Sequence, residues 1–350
     1  MPEYPFPCDT DELNRQTTKT LLAISLLGTP SLSRSIHNPP TRVLEVGCGT
    51  GLWSSLCHQH FIRLGAAPIK FFGTDIAPVS PNLRGHGVDW EFLQHDLTKA
   101  LPYWDESFDL IIVKDLAFIA RPDAGEARLL DEYFRILRRG GTLEIWESDL
   151  PIRALLPPAL HTRRIVTPAA RQAERTGSYL LGPEIGFSES RNKCIREFNG
   201  WIRDSLEDRG LNPSPSTEMG ALLLGERRFA KGSTSCHRVA IPLGEAKWEQ
   251  DPSTELRSEP PGSRPSSSYK RIEDLKIPPL TAHQLSLRST ALSLAVQTIE
   301  SLEPILKKAA ALNGDNWDRW WDEMMSSLLD EKNTSSGECL EFGVWWGTKA

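Results

Sequence analysis

The stretch that most constrains this chain is residues 43–54, which read "VLEVGCGTGLWS". An apolar run enters it, and Gly47, Gly49 and Gly51 then occupy every second position. Glycine has no side chain and tolerates positive φ, so this spacing favours a sharp turn at which the backbone approaches a ligand. A helix after the turn would direct its N-terminal amides at that ligand. The stretch therefore predicts a strand, a tight binding loop and a helix.

Apolar runs and helical patterns alternate around this loop. The runs "TRVLEV", "IKFFGTD", "DWEFLQHDL", "FDLIIVKD" and "TLEIWE" predict five strands, and "GLWSSLCHQHFIRLG" and "AGEARLLDEYFRILRRGG" predict helices between them. A further helix is predicted after Asp9, the expected cap, and it ends at Gly28. The alternation predicts an α/β fold with a doubly wound, Rossmann-like and mostly parallel sheet.

The alternation stops after Leu150. Residues 151–190 are rich in Pro, Arg and small residues and predict a lid or insertion over a site. A helix over 192–211 and two strands, "MGALLLGE" and "RVAIPLGE", follow, and we expect the strands to pair antiparallel at the sheet edge. Residues 249–268 combine Pro, Ser and charge and predict a flexible linker.

Two apolar helix faces are predicted beyond this linker. One carries Leu285, Leu292, Val296, Ile299 and Leu306 with a bend at Pro304, and the other carries Trp317, Trp320, Trp321, Met324 and Leu328. The predicted organisation is an N-terminal helical segment over 1–40, a domain over 41–245, a linker over 246–272 and a C-terminal helical extension over 273–350. A chain of 350 residues with 39% hydrophobic and 25% charged residues suits a globular protein of this size.

Charge and cysteine content narrow the function classes. The 40 Lys and Arg against 46 Asp and Glu give a net charge of −6 without a long basic patch, so we expect no nucleic-acid partner. No apolar stretch approaches the ~20 residues that cross a bilayer, and no secretory signal opens the chain, so we expect no membrane partner. The six cysteines show neither CxxC nor zinc spacing. They predict reduced thiols in a cytosolic or nuclear protein without a metal site.

The glycine spacing also discriminates between ligands. A dinucleotide loop reads G-x-G-x-x-G, but here Leu52 stands where the last glycine belongs, which disfavours an NAD-dependent oxidoreductase. Glu45, two residues before the first glycine, would repel a pyrophosphate and attract a cationic ligand. S-adenosylmethionine carries an ammonium and a sulfonium. The stretch "LEVGCGTG" resembles the first motif of class I S-adenosylmethionine-dependent methyltransferases.

The resemblance covers residues 40–150 by motifs and extends through about 245 by element order. The stretches "GLWS", "GTDIAP", "FDLIIVKDL" and "FRILRRGGTLEIWE" are similar to fungal methyltransferase-domain proteins, which include secondary-metabolism regulators and small-molecule methyltransferases. The resemblance implies S-adenosylmethionine as the cofactor. It implies that Asp75 accepts hydrogen bonds from the ribose hydroxyls, that Asp96 accepts one from the adenine amino group, and that the Leu97 backbone reads the ring edge. The predicted cofactor-binding set is Glu45, Gly47, Cys48, Gly49, Gly51, Asp75, Ile76, Asp96, Leu97 and Lys114.

Each of these acids has a structural alternative. Taken singly, Asp75 and Asp96 are as typical of a helix cap or solvated turn as of a ligand contact. Their order after the second and third predicted strands, together with the glycine loop, favours cofactor binding.

Methyl transfer from a sulfonium is a direct displacement, so the protein mainly aligns a nucleophile and needs no obligatory catalytic side chain. A base is needed only if the nucleophile sheds a proton, and His161, His95 and Asp115 are the candidates. The alternative for each histidine is a surface or packing role, and for Asp115 a brace for the next loop. The chain lacks the D/N-P-P-Y/F signature of amide and adenine methylation, and no Pro-Cys nucleophile of cytosine methylation follows any of the predicted strands. We therefore expect an oxygen or nitrogen nucleophile on a small molecule or protein.

The rival hypothesis is a regulatory protein that keeps the methyltransferase fold and acts through partners. Its contact surface would be the tryptophan-rich C-terminal helices, which would bind a protein partner or a second copy of the chain. Helical spacing alone already explains Trp317, Trp320 and Trp321 as packing residues.

Overall fold

The computed structural model describes residues 4–33, 39–118, 124–157, 167–182, 185–250, 279–329 and 336–350. The helices in this part of the chain are α1 (Thr10–Leu27), α2 (Leu52–Arg63), α3 (Ala124–Ile136), α4 (Pro168–Thr176), α5 (Lys193–Glu207), α6 (Met219–Gly225), α7 (Lys247–Gln250), α8 (Ala282–Ser301), α9 (Glu303–Ala310) and α10 (Gly314–Leu329). The strands are β1 (Arg42–Val46), β2 (Lys70–Asp75), β3 (Asp89–Gln94), β4 (Phe108–Lys114), β5 (Leu137–Ser148), β6 (Arg153–Leu155), β7 (Tyr179–Leu180), β8 (Phe187–Ser188), β9 (Ser235–Pro242) and β10 (Glu338–Thr348).

Within the described residues the strands form one sheet in the order β3-β2-β1-β4-β5-β10-β6-β8, with β9 pairing to β10 and β7. The first five strands run parallel, and β10 runs antiparallel to β5 and β9. The predicted α/β fold with a doubly wound sheet is therefore confirmed. The chain leaves β1 toward β2 on one side and returns to β4 on the other, and ligands of such sheets bind at the carboxyl ends of strands at this switch point.

Apolar strands explain why the sheet forms the core. The four residues Val43–Val46 of β1 are buried, as are residues 108–113 of β4, because helices cover both faces of a parallel sheet. Two large apolar clusters lie on either side of it, one containing Val43, Leu110 and Trp53 and the other containing Leu44, Ile111 and Tyr133. None of the helices in the described residues has both the length and the apolarity to cross a bilayer.

The N-terminal helix follows its sequence signals. The Asp9 carboxylate accepts the Glu12 backbone N–H at 2.9 Å, and Gly28 ends α1 at φ +80° with its N–H donating to the Ile24 carbonyl. Both ends of α1 are thus confirmed as predicted. The predicted bend at Pro304 is confirmed too, because α8 ends at Ser301 and Pro304 lies in the first turn of α9.

Several element predictions were wrong. Residues 219–225 form helix α6 rather than a strand, because a short apolar run has no periodicity that separates helix from strand. Strand β9 therefore pairs with β10 instead. Helix α3 ends at Ile136, ahead of the predicted stop at Gly140, and β5 begins directly at Leu137. Strand β3 ends at Gln94, short of Asp96.

The predicted boundary between domain and C-terminal extension does not separate two structural units. Residues 338–348 form β10, which inserts into the sheet between β5 and β9 and is not helical. The predicted linker is also too long at its start, because α7 contains buried Trp248 and Glu249 pairs with buried Arg288 of α8. The remaining linker residues, 251–272, lie outside the described residues.

Candidate functional site

The glycine turn after β1 adopts the backbone that its sequence predicts. Gly47, Gly49 and Gly51 have φ of +64°, +50° and +69°, a region in which side chains are strained. The N–H groups of Gly47 and Cys48 both donate to the Thr74 carbonyl of β2, at 2.9 and 3.1 Å. The turn is therefore fixed to the end of the neighbouring strand.

The turn faces a cavity of about 240 Å³ at the carboxyl ends of the parallel strands. Its wall includes seven of the residues predicted from the sequence: Gly47, Gly49, Asp75, Ile76, Leu97, Lys114 and Asp115. These residues follow β1, β2, β3 and β4, so the fold brings four separate stretches of sequence to one site. The predicted position of the site at the strand ends agrees with this geometry.

Asp75 is the acid that the turn and the cavity share. Its Oδ2 accepts the Gly49 N–H at 2.9 Å, and its Oδ1 accepts the Ala77 N–H at 3.0 Å. An ionised carboxylate has about four acceptor positions, so both oxygens retain capacity for ligand hydroxyls. Asp75 therefore shapes the glycine loop and presents acceptors to the cavity at the same time.

Glu45 lies behind the cavity wall and is fully buried. Its carboxylate accepts the Ser54 Oγ–H at 2.7 Å and lies 2.6 Å from the Lys114 Nζ. The charge of Glu45 is thus balanced inside the protein by Lys114, which does line the cavity. The structure places Lys114 rather than Glu45 at the cavity wall, so the attraction of Glu45 for a cationic ligand stays a prediction.

Three other predicted contacts do not line the cavity. The thiol of Cys48 is buried beside Gly73, and burial raises its pKa. Gly51 begins α2 and packs toward Leu83 and Trp90, where an added Cβ would lie 3.0 and 3.2 Å from their side chains. These two positions shape the turn without facing the ligand.

Asp96 is the third. Its carboxylate accepts the Thr98 N–H at 2.9 Å in a local turn, and its hydrogen bonds with Thr98 lower its pKa. This is the solvated-turn alternative that the sequence left open. The next residue, Leu97, is 8% exposed and lines the cavity, so only that half of the predicted adenine contact lies at the wall.

The three candidates for a general base lie in different places relative to the cavity. His161 lies outside the described residues. His95 does not line the cavity, and its backbone N–H donates to the Asp75 carbonyl at 2.9 Å. Asp115 lines the cavity at φ +55° and forms an ion pair with Lys19 of α1. Asp115 therefore lies at the wall and is joined to α1, and its predicted role as a base or as a brace for the next loop stays a prediction.

Helix α1 forms the wall opposite the strand ends, a role that the sequence analysis missed. Glu12, Gln16, Lys19 and Thr20 line the cavity. A Cβ on Gly49 would lie 2.9 Å from the Gln16 Oε1, which shows how closely the helix approaches the turn. The signal was the polar stripe at helical spacing on α1, but nothing local connects it to residue 49.

The predicted lid is also corrected. None of the described residues of 151–190 lines the cavity, whereas Tyr4, Pro7 and Cys8 cover it together with α1. Two more wall residues come from distant sequence, Glu147 at the end of β5 and Phe342 in β10. Their neighbourhood depends on strand pairing between residues 142–148 and 342–348, which no local pattern predicts.

The tryptophans divide between wall and packing. Trp53 and Trp146 line the cavity, and their indole N–H groups donate to the Pro30 carbonyl and the Glu144 carboxylate. Trp104 is 88% exposed. Trp317, Trp320 and Trp321 stack on each other at centroid distances of 5.0 and 6.2 Å, which agrees with the packing interpretation.

Comparison with known proteins gives this geometry a family. Residues 43–141 match the sequence profile of a family described as "Methyltransferase domain". Over this segment, the match supports the resemblance to class I S-adenosylmethionine-dependent methyltransferases that the sequence motifs indicated. The matched segment of this methyltransferase domain runs from β1 to the start of β5 and includes the glycine turn, Asp75 and Lys114.

Two curated relatives of the methyltransferase domain are similar over part of their length. The secondary metabolism regulator laeA of Aspergillus niger is 28% identical over 59% of this chain and 56% of its own length. The ubiquinone/menaquinone biosynthesis C-methyltransferase UbiE of Desulfotalea psychrophila is 26% identical over 43% of this chain and 54% of its own length. The chain thus spans about half the length of these relatives. A solved structure of a Haemonchus contortus phosphoethanolamine N-methyltransferase aligns over 95% of this chain and 52% of its own chain, with 10% sequence identity and a TM-score of 0.41.

The residues present fit S-adenosylmethionine as the cofactor of this superfamily. Gly47 and Gly49 carry no Cβ at the turn, and the group nearest to the missing Cβ of Gly49 is the amide end of the Gln16 side chain. Asp75 presents carboxylate oxygens of the kind that accept from vicinal hydroxyls. Ile76 and Leu97 add apolar wall on the same side, where an adenine ring would lie. These residues thus supply the hydroxyl acceptors and apolar surface that a nucleoside requires.

Proposed function

We propose that this protein is an S-adenosylmethionine-dependent methyltransferase that methylates an oxygen or nitrogen nucleophile. The observation that carries the proposal is the glycine turn whose Gly49 N–H is held by Asp75 at 2.9 Å, with both residues at the wall of one cavity. The family match over residues 43–141 supports it. Because the relatives are spanned only in part, their activities support this proposal without deciding it.

When bound, S-adenosylmethionine supplies a methyl group on a sulfonium that leaves as a neutral thioether. Asp75 would hold the sugar hydroxyls, and Ile76 and Leu97 would flank the base. Lys114, balanced by Glu45, would present its ammonium toward the amino-acid part of the cofactor. The remaining wall of α1 and the β4 and β5 ends would orient the acceptor and exclude water, and orientation supplies about 7–11 kcal/mol in favourable model reactions.

The test combines binding with transfer. Purified protein is titrated with S-adenosylmethionine and with S-adenosylhomocysteine by calorimetry, and is then incubated with methyl-labelled cofactor and fractionated small-molecule and protein extracts. We expect saturable binding of both compounds and label in at least one fraction. Folded protein that binds neither compound would overturn the proposal.

A regulatory function is the second candidate, favoured by the name of the Aspergillus niger relative. It would keep the cofactor site and act through a partner. Tight cofactor binding without label in any extract fraction would support it over the enzymatic function.

A further inference from the structure

The proposed cofactor contacts give the cofactor a direction along the edge of the sheet. Asp75 ends β2, and Leu97 follows β3, which pairs with β2 on one side. With the sugar at Asp75 and the base toward Leu97, the amino-acid end would extend the other way, toward β1 and β4. The cavity wall there contains Gly49 of the turn and Lys114. This end of S-adenosylmethionine carries an ammonium and a carboxylate, so its site needs a hydrogen-bond acceptor as well as a donor.

Helix α1 presents polar side chains opposite this part of the strand ends. Glu12, Gln16 and Thr20 follow each other at intervals of four residues, so they share one side of the helix, and all three line the cavity. A Cβ built on Gly49 would lie 2.9 Å from the Gln16 Oε1. Gln16 is therefore a side chain of α1 that reaches the glycine turn.

The hydrogen bonds of Gln16 determine which end of its amide faces the turn. Its Nε2 donates to the Glu12 Oε1 at 2.9 Å, and Arg15 donates to both oxygens of the same carboxylate at 2.6 and 2.7 Å. An ionised carboxylate only accepts hydrogen bonds, so it selects the NH2 group of the amide and leaves the carbonyl oxygen toward Gly49. Within the described part of the chain, this oxygen accepts no hydrogen bond. Gln16 thus offers a positioned acceptor at the turn.

The support behind the Gln16 amide is buried. Glu12 and Arg15 are 1% and 3% exposed, and the Arg15 guanidinium lies 4.2 Å from the centroid of the Phe6 ring. A buried ion pair keeps its geometry, because separating the two groups would leave each charge without a partner. The Gln16 amide is therefore held from behind by a fixed carboxylate.

The charged side chains near this end of the cavity have partners of their own. Lys114 lies 2.6 Å from Glu45, and Lys19 forms an ion pair with Asp115. An ammonium has three donors, so Lys114 keeps N–H groups for a ligand carboxylate. Its charge would repel a ligand ammonium, which therefore needs an acceptor on the opposite wall. The Gln16 Oε1 meets this requirement.

Building on the proposed function, we propose that Gln16 binds the amino-acid end of S-adenosylmethionine. The Gln16 Oε1 accepts a hydrogen bond from the cofactor ammonium, and Glu12 and Arg15 hold the amide in the orientation that this requires. Since Gln16 belongs to α1, the cofactor joins this helix to the glycine turn across the cavity. The residue therefore distinguishes ligands that carry the ammonium from ligands that lack it.

The test compares two ligands that differ only in the ammonium. They are S-adenosylhomocysteine and its deaminated analogue, in which a hydrogen atom replaces the amino group. Calorimetry on the full chain at neutral pH gives both Kd values, and displacement of S-adenosylhomocysteine extends the measurement to a weakly bound analogue. The variants are Gln16→Met, which keeps the length of the side chain and removes the amide, and Gln59→Met as a matched control. Gln59 is exposed on α2 and accepts a hydrogen bond from Arg63 at 3.4 Å.

We expect the wild type to bind S-adenosylhomocysteine at least about tenfold more tightly than the analogue, the fold-change that one hydrogen bond from a charged donor provides. Gln16→Met should reduce this ratio to below about threefold, whereas Gln59→Met should keep it. An unchanged ratio in Gln16→Met would overturn the proposal, because a residue that only packs α1 would affect both ligands equally. Equal affinities of the wild type for the two ligands would overturn it too. A folded wild-type protein that binds neither ligand would instead count against the proposed function.

Discussion

At the scale of single residues, the buried Glu45 carboxylate is neutralised by an ion pair with Lys114. Glu45 is fully buried and accepts hydrogen bonds from both the N–H and the hydroxyl of Ser54 at the start of α2. Lys114 lies 2.6 Å from it, with 19% of its side chain exposed toward the cavity. The acid of the motif therefore holds the lysine at the cavity wall.

Replacing Lys114 by Met should destabilise the protein. The variant leaves a buried carboxylate without its cation, and we expect a loss of about 3 kcal/mol, the lower end for buried pairs because Lys114 is partly exposed. Urea unfolding measures the change. A double-mutant cycle combines Lys114→Met with Glu45→Gln. The double variant should be more stable than the sum of the two single changes predicts, by at least about 1 kcal/mol. Strict additivity of the two single changes would contradict the pairing.

At the scale of elements, a buried ion pair joins α8 to α7, the short helix that follows β9. Arg288 of α8 is 2% exposed and donates to both oxygens of Glu249 in α7, at 2.6 and 2.7 Å, and to the Gly177 carbonyl. Burial opposes ionisation of Glu249, but its hydrogen bonds with Arg288 outweigh burial and lower its pKa. Since α8 packs on α1, this pair also supports the wall of the cavity.

The lowered pKa gives a pH dependence with a defined sign. A carboxyl whose pKa is lower in the folded state contributes stability above its ordinary value of 4.5 and loses it as the pH falls through the lowered pKa. Glu249→Gln should therefore flatten the fall in unfolding free energy below pH 4.5. At pH 7 it should cost about 3–5 kcal/mol, because Arg288 stays buried without its partner.

The half-buried pair of Glu303 and Lys307 on α9, much more accessible to solvent than Glu249 and Arg288, provides the control. Glu303→Gln should change the free energy of unfolding by no more than about 1 kcal/mol. Equal effects of the two substitutions would contradict the assigned role of the buried pair.

Prediction from sequence succeeded where the signal is local. The glycine turn, Asp75 after β2 and the caps Asp9 and Gly28 depend on a few neighbouring residues, and the structure places each where its pattern indicates. Prediction failed where the position of a residue depends on tertiary packing. Gln16 approaches Gly49 only because α1 packs against the strand ends. The Asp96 carboxylate accepts the Thr98 N–H instead of lining the cavity, although its position in the sequence suits a ligand contact.

At the scale of the whole molecule, the chain returns to complete its own sheet. Strand β10 pairs with β5 over residues 142–148 and with β9 over residues 235–242, so the last strand lies between two earlier ones. Its side chains enter both apolar clusters, Phe342 and Val344 on one side and Trp345 on the other. The sheet that contains the matched segment thus extends well beyond residues 43–141.

Ending the chain after residue 329 should prevent folding. The truncation removes β10, leaves the backbone groups of β5 and β9 unpaired and exposes the surfaces that Trp345 covers. We expect loss of the cooperative thermal transition seen by circular dichroism. Co-expression of residues 336–350 as a separate peptide should restore part of it. A truncated protein with an unchanged transition would contradict the placement of β10.

We propose that the glycine turn held by Asp75 binds S-adenosylmethionine at the strand ends. Calorimetry of Asp75→Asn and Asp96→Asn with S-adenosylhomocysteine tests it most directly, since both replace an aspartate that follows a strand. We predict that Asp75→Asn binds S-adenosylhomocysteine at least about tenfold more weakly than the wild type. Asp96→Asn should bind it with an affinity unchanged within about threefold, and both variants should keep their fold. Equal affinities for wild type and Asp75→Asn, or a larger loss in Asp96→Asn, would contradict it.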